Sequence, residues 1–263
     1  MNLFVQTGRV VWTAFYMQLK QLIVDVVALF FVIVQPLFIA LLAIYVLRDS
    51  VGFQAIYVIV GSALTGLWSG TLFFNTNGIE RERRMGTLEG IVGSPTHLAT
   101  VVLGKALANS TLCLSSMIFS YPLAALLFGY HLEIALPLLF VGSLLLTLFA
   151  MTALGMLIAP LISVRPATNN WTNLFEFPVY IAGGFLFPIA LLPNWITPFS
   201  YLLSPYWAAR ALHAASGGGL SLEEILFASF MLVAESAIYW FISARLFRTV
   251  LRKVREDATL AWQ

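Results

Sequence analysis

Charge is scarce in this chain, and its scarcity excludes most soluble architectures. Only 10% of the 263 residues are Asp, Glu, Lys or Arg, against 60% hydrophobic ones, and the mean hydropathy is +0.90. Apolar runs of about 20 residues or more, long enough to cross a bilayer, take up nearly the whole chain and leave no room for a soluble catalytic domain. The single cysteine, Cys113, excludes an internal disulfide and is expected to pack as a small hydrophobe inside its apolar run. His97, His131 and His213 fall in separate loops without ligand spacing, so no metal cluster is expected. The stretch Gly66-Leu67-Trp68-Ser69-Gly70 is superficially similar to an intramembrane serine-protease loop, but no span supplies a histidine base. Alternation of polar and apolar residues over ten-residue segments is missing, which excludes an outer-membrane barrel. A cleavable signal is missing too: Gln6, Arg9, Gln18 and Lys20 break the first apolar stretch, and no small-residue cleavage site follows. Finally, Gly104-Lys105 is followed by Ala106 and Leu107, so there is no G-x-x-x-x-G-K-[ST] phosphate loop.

What remains is helix. Backbone groups in lipid must be satisfied within their own segment, and six helical spans are expected. They run about Leu22 to Leu47, Phe53 to Phe74, Leu98 to Phe128, Ile134 to Ile162, Trp171 to Phe187 and Ile225 to Phe247. Six crossings put both termini on one side, together with twelve of the fourteen Lys and Arg residues; only Arg48 and Arg210 lie opposite. By the positive-inside rule, the termini are expected to be cytoplasmic in a multi-pass protein of the cell (inner) membrane.

Two regions depart from plain spans. Residues 1–21 mix Leu3, Phe4, Trp12 and Phe15 with Gln6, Arg9, Gln18 and Lys20, which suits an amphipathic helix lying along the membrane surface; an extended first span is the alternative. Pro178, Pro188, Pro193, Pro198 and Pro205 punctuate an apolar stretch that one long helix cannot traverse. Short broken helices dipping into the membrane, a re-entrant hairpin over residues 183–206, reconcile proline with apolarity. Ser216-Gly217-Gly218-Gly219 then reads as a flexible loop, and Ser221 with Glu224 as a capping box opening the last helix, whose residues 245–263 form a tail.

The scarce charge is concentrated in one place. Glu80-Arg81-Glu82-Arg83-Arg84-Met85-Gly86-Thr87-Leu88-Glu89, then Gly93-Ser94-Pro95, sits in the loop over residues 75–97. A topology anchor or an anionic-lipid patch needs the basic residues but not the interleaved acids. Alternating charge suits a short docking helix whose ion pairs set register against another protein.

Arg84-Met85-Gly86-Thr87-Leu88-Glu89, Ser94-Pro95 and Gly104-Lys105 resemble the signature of the ABC-2 permeases, the membrane subunits of ATP-binding-cassette exporters. Gly183-Gly184-Phe185-Leu186-Phe187-Pro188, Leu192-Pro193-Asn194-Trp195, Ser204-Pro205-Tyr206 and Arg210 resemble that family's second recurrent pattern. The resemblance spans essentially the whole chain, a single transmembrane domain over residues 1–263. It implies that Glu80, Arg81, Glu82, Arg83, Arg84, Gly86, Thr87, Leu88, Glu89, Ser94 and Pro95 form a coupling-helix loop docked on a separate cytoplasmic ATPase. It further implies a dimer with itself or a related permease, ATP and Mg held by the partner ATPase with no cofactor on this chain, and export of an amphipathic drug, lipid or glycan. The second and fifth spans would face the dimer partner across the pathway, making Trp68, Phe73, Trp171, Phe175, Glu176, Tyr180 and Phe185 candidate contacts; belt anchoring and packing are the alternative for the aromatics.

Two acids fall deep within spans, and a third, Asp25, near the edge of the first. Glu235 and Glu176 are each open to two readings, a functional carboxylate or a structural hydrogen bond to a neighbouring helix. As ion or proton sites they would serve a secondary transporter or channel, the competing class, which predicts internal inverted repeats that this sequence does not display. Asp25 is expected to face water or pair with Lys20. Gly66-x-x-x-Gly70 and Gly155-x-x-x-Ala159 permit close helix approach and so permit dimerisation.

Overall fold

The structure, a computed structural model, describes residues 3–48, 55–93, 97–128, 134–163, 169–186, 189–217 and 221–260, and the statements below concern these. They are helical nearly throughout. In chain order the helices are α1 Leu3–Ile23, α2 Val26–Leu29, a π-turn Phe30–Val34, α3 Gln35–Leu47, α4 Ala55–Arg84, α5 Leu88–Gly93 and α6 Leu98–Phe128. Then come α7 Pro137–Ser163, α8 Asn169–Ala182, a 3-10 turn Ile189–Leu191, α9 Thr197–Ser200, α10 Ser204–Gly217 and α11 Leu222–Leu260.

Five of these segments are long and apolar enough to cross a membrane: Val26–Val46, Ala55–Asn75, Leu98–Ser115, Pro137–Leu161 and Leu222–Thr249. The fifth expected span is shorter than the others. Helix α8 has 14 residues, about 21 Å at 1.5 Å per residue, against a hydrocarbon thickness of about 30 Å. It stops at Gly183-Gly184, where Gly184 takes φ +63°, a conformation that penalises any side chain.

Helix α4 is the axis of the bundle. Buried positions make up 83% of its span, against 22% for α11, and α3, α6, α7, α8 and α10 all pack on it. Its sequence permits this because Gly and Ser recur where other backbones come close. A Cβ on Gly66 would lie 2.3 Å from Pro36 Cγ, one on Gly70 2.2 Å from Cys113 Sγ, and one on Gly61 1.8 Å from the Phe185 carbonyl oxygen. The Gly66-x-x-x-Gly70 pair is therefore consumed within the chain, against α3 and α6, and Cys113 is the small buried apolar group expected of it. Gly155 likewise faces the Asn75 amide. By contrast, α3 and α11 expose large apolar side chains, among them Phe38, Leu42, Phe230 and Phe241, a surface suited to lipid rather than water.

Local chemistry accounts for the ends and irregularities. Pro36 has no N–H, and its ring crowds the preceding turn; the chain widens just before it, with the Gln35 N–H bonding the Phe30 carbonyl five residues back. Helix α4 ends as a Schellman motif: Gly86 at φ +69° reverses the chain, and the Thr87 N–H bonds the Glu82 carbonyl at 3.0 Å. The capping box is present, with the Ser221 N–H on Glu224 Oε2 at 3.1 Å and the Glu224 N–H on Ser221 Oγ at 3.4 Å.

Some local expectations need correction. Asp25 does not pair with Lys20. It caps α2 through the Val27 N–H and pairs with Arg81 at 3.4 Å, while Lys20 lies over the Tyr16 ring. Ser216 and Gly217 are not loop but the end of α10. There the Ala215 and Ser216 carbonyls accept the Leu136 and Ala135 N–H groups, so an orphan helix end satisfies the start of α7. Residues 218–220 lie outside the described residues. Within the charged block, Glu80 to Arg84 continue α4, the chain turns at Gly86, and Leu88–Gly93 forms the short helix α5.

Candidate functional site

Three polar assemblies built on a carboxylate, and one ladder of amides, stand out against the apolar bundle. The first is at the α4–α6 connection. The Glu82 carboxylate bonds Lys105 Nζ on α6 and the Thr87 hydroxyl on the far side of the Gly86 turn, and its backbone carbonyl takes both the Thr87 hydroxyl and N–H. The Glu82 and Lys105 side chains are only 16% and 18% exposed, so the pair is more than a surface contact. Burial pushes the Glu82 carboxyl up, but the hydrogen bonds from Lys105 and Thr87 and the charges of Lys105 and Arg81 outweigh it, holding it below the usual carboxylate range. One residue thus ties the end of α4, the turn into α5 and α6 together. The side chains of Glu80, Arg83, Arg84, Leu88 and Glu89, and the whole of Ser94 and Pro95, lie outside what is described.

Above this knot runs a ladder of amides. Gln18 Nε2 donates to Asn109 Oδ1 at 3.0 Å, Asn109 Nδ2 to Asn75 Oδ1 at 2.9 Å, and Asn75 Nδ2 to the Thr71 carbonyl at 2.8 Å. It links α1, α6 and α4 in an otherwise apolar contact. Gly104 lets α1 lie close there, since a Cβ would meet the Val11 carbonyl at 2.4 Å.

The second assembly is centred on Glu176 of α8. Its Oε1 accepts Ser69 Oγ at 2.6 Å, Tyr180 OH at 2.7 Å and Gln35 Nε2 at 3.3 Å. Gln35 also reaches Ser69 Oγ and Tyr180 OH, at 3.1 and 3.2 Å, and the two hydroxyl oxygens lie against each other, sharing two protons among three contacts. The tetrad joins α3, α4 and α8, and the widened turn before Pro36 supplies its Gln35. Its three neighbours give the Glu176 carboxyl polar partners where the surrounding apolar side chains offer none.

The third assembly holds Glu235. Trp207 Nε1 of α10 donates to Glu235 Oε1 at 3.1 Å, and one turn on, Tyr239 OH donates to the Leu202 carbonyl at 3.2 Å. Both bonds fasten α11 to the segment around α9 and α10. Trp207 Nε1 is shared with the Tyr201 carbonyl at 3.1 Å, and Glu235 Oε2 is buried with no hydrogen-bond partner among the described residues.

The expected pathway residues part company. Glu176 and Tyr180 are brought together. Trp68, 4% exposed, and Phe185, fully buried, belong to the interior of the chain, and Phe73 is half-buried against Phe31 and Phe74. Trp171 and Phe175 lie on α8, with side chains outside those described. Sequence reasoning missed Lys105, Gln35, Ser69 and Trp207 as partners. For Gln35 the available signal was a lone polar residue in the middle of an apolar run, which lipid tolerates only when it is paired; the other three carried no such mark.

An all-helical bundle with several membrane-length apolar helices, polar knots on its inner faces and an apolar outer surface defines a multi-pass membrane protein. The family model for ABC-2 type transporters matches residues 9–215, and the chain belongs to that family of membrane transport permeases. It is a permease family rather than a family of catalytic enzymes. Comparison with curated proteins gave no match.

Proposed function

We propose that the chain is the permease subunit of an ATP-binding-cassette exporter, pairing with itself or a related permease and docking separate cytoplasmic ATPase chains that hold ATP and Mg. The observation that carries this reading is the junction at Gly86. The family-like charged block lies where α4 turns into α5, and Glu82 and Thr87 clamp that turn to Lys105 on α6. Movement of an ATPase against α5 would pass through this clamp into two membrane-length helices at once.

The rest of the architecture follows in the same reading. Both termini and the α4–α6 connection are cytoplasmic, in the inner membrane, with residues 75–97 as the coupling loop. Helix α1 lies along the membrane surface, its exposed Trp12, Tyr16 and Met17 at the lipid boundary and its buried Gln18 on the amide ladder. Helix α8 makes the remaining crossing together with residues 183–206, which re-enter the membrane from the far side and bring the count of spans to six. The faces of α4 and α8 toward the dimer partner form half of the pathway, with Glu176 and Tyr180 at its wall, for an amphipathic drug, lipid or glycan. In this scheme Trp68 and Phe185 shape the wall from behind.

The test reverses charge where the ATPase would dock. Glu89→Lys, or Arg83→Glu with Arg84→Glu, leaves the permease inserted but uncouples transport from ATP hydrolysis, because like charges facing each other at an interface cost several kcal/mol. Unchanged transport and unchanged co-purification of an ATPase in these variants would reduce the block to a topology signal.

A further inference from the structure

At the end of the bundle opposite Glu82, the segments around α9 and α10 enclose a cavity of about 780 Å³ with the end of α4 and the Gly183-Gly184 turn. That is within the range of small-molecule sites and far more than a lone inorganic ion needs. Its walls are of two kinds. Ile189, Leu192 and Ala214 are apolar; Tyr57, Tyr206 and Arg210 bring hydroxyls and a positive charge.

The polar wall is built and only partly used. Arg210 donates to Tyr206 OH at 3.2 Å and to Glu224 Oε1 at 3.3 Å, two bonds from a guanidinium with five N–H donors. Glu224 is not among the residues lining the cavity, so Arg210 brings the formal positive charge to it. His213, 8% exposed, lies face to face with the Tyr57 ring at 3.6 Å, and Tyr57 OH donates to the Gly184 carbonyl at 3.2 Å. The His213 Nε2 contact is a carbonyl, that of Phe185 at 3.0 Å, and a carbonyl only accepts. Nε2 therefore carries the proton, and Nδ1 is a buried acceptor with no hydrogen-bond partner. A cation and two tyrosine hydroxyl oxygens, both engaged but with acceptor capacity left, line one apolar-walled space, with the buried His213 ring beside them.

We propose that this cavity binds the headgroup of an anionic, hydroxylated membrane lipid, with the phosphate on Arg210 and the acyl chains along the Ile189 and Leu192 wall. Phosphate is recognised by the guanidinium fork, and a headgroup hydroxyl can donate to the oxygens of a site lined by Tyr57, Tyr201 and Tyr206. A soluble phosphate ester shares this chemistry, but the apolar wall gives it nothing to gain, so the lipid is the occupant favoured here. The inference depends on the chain lying in a membrane and not on any ATPase.

The test is binding to the purified, detergent-solubilised permease by native mass spectrometry, with three probes: dioctanoyl phosphatidylglycerol, uncharged dioctanoylglycerol and soluble glycerol 1-phosphate. The phosphatidylglycerol is expected to bind more tightly than either of the others. Arg210→Gln should weaken it about tenfold or more, the loss of one charge-assisted contact. Glu224→Gln, which preserves the capping box, should tighten it by freeing Arg210. A purely structural Arg210–Glu224 pair would make both variants weaken binding alike, and that result would overturn the proposal. Equal binding of dioctanoylglycerol would overturn the anion site, and equal binding of glycerol 1-phosphate would overturn the lipid.

Discussion

Removing the Lys105 charge while leaving Glu82 in place isolates the clamp at the α4–α6 connection. In Lys105→Met the carboxylate of Glu82 keeps, among the described residues, the Thr87 hydroxyl and the more distant Arg81 charge, on a side chain 16% exposed. Stripping one partner from a fully buried pair costs about 3–5 kcal/mol, whereas an exposed pair is worth about 0–1 kcal/mol. This pair lies between those limits, so a loss of about 1–3 kcal/mol is expected. The double variant Glu82→Gln with Lys105→Met should recover part of that loss, since no uncompensated charge remains. Apparent melting temperature in detergent, followed for the parent, both single variants and the double, yields the coupling as a double-mutant cycle. Acid provides a second reading of the same contact. A carboxyl held below its usual 4.5 contributes stability that is fully present above 4.5 and is lost as the pH falls through its lowered folded value. The parent should therefore lose melting temperature below about pH 4.5 more steeply than Glu82→Gln. A Lys105→Met variant as stable as the parent, or a double variant losing the sum of the two singles, would refute the clamp.

Two further outcomes follow from packing. Gly66→Ala pushes a methyl to 2.3 Å from the rigid Pro36 ring, an overpacking of about 1–3 kcal/mol that should lower permease abundance, while Gly78→Ala, with open space around it, should not; equal abundance of the two would mean that α3 and α4 do not meet there. Trp207→Phe should destabilise the chain by about 1–3 kcal/mol by orphaning Glu235, and adding Glu235→Leu should restore most of it; thermal melting of the three proteins checks this, and no rescue would speak for a role of Glu235 beyond holding α10.

The bundle was largely legible from composition. Apolar runs locate α3, α4, α6, α7 and α11 because lipid leaves a backbone no partner but its own helix, and Ser221 with Glu224 marks the start of α11 because both halves of the box are local. The polar site was half legible. Glu176, Tyr180 and Glu235 were conspicuous as polar groups in apolar text, but nothing in their neighbourhood of sequence names Gln35, 141 residues from Glu176, or Trp207, 28 residues from Glu235. Asp25 illustrates the error this invites: Lys20 is five residues away, yet the fold offers it Arg81, 56 residues on.

What the sequence alone determined is therefore whatever short-range physics decides. Apolar length, proline, the glycine turn at Gly86 and the helix caps each act over a few residues and write themselves into helices and their ends. Tertiary structure decided which glycines are spent on packing inside the chain, which buried acids are satisfied and by whom, and that Trp68 and Phe185 lie within the bundle rather than on its surface. Those outcomes depend on the rotation and depth at which α4 meets α3, α6, α7, α8 and α10. In an apolar medium that placement is set by close packing and paired polar groups rather than by burial from water, and neither is visible along a single helix.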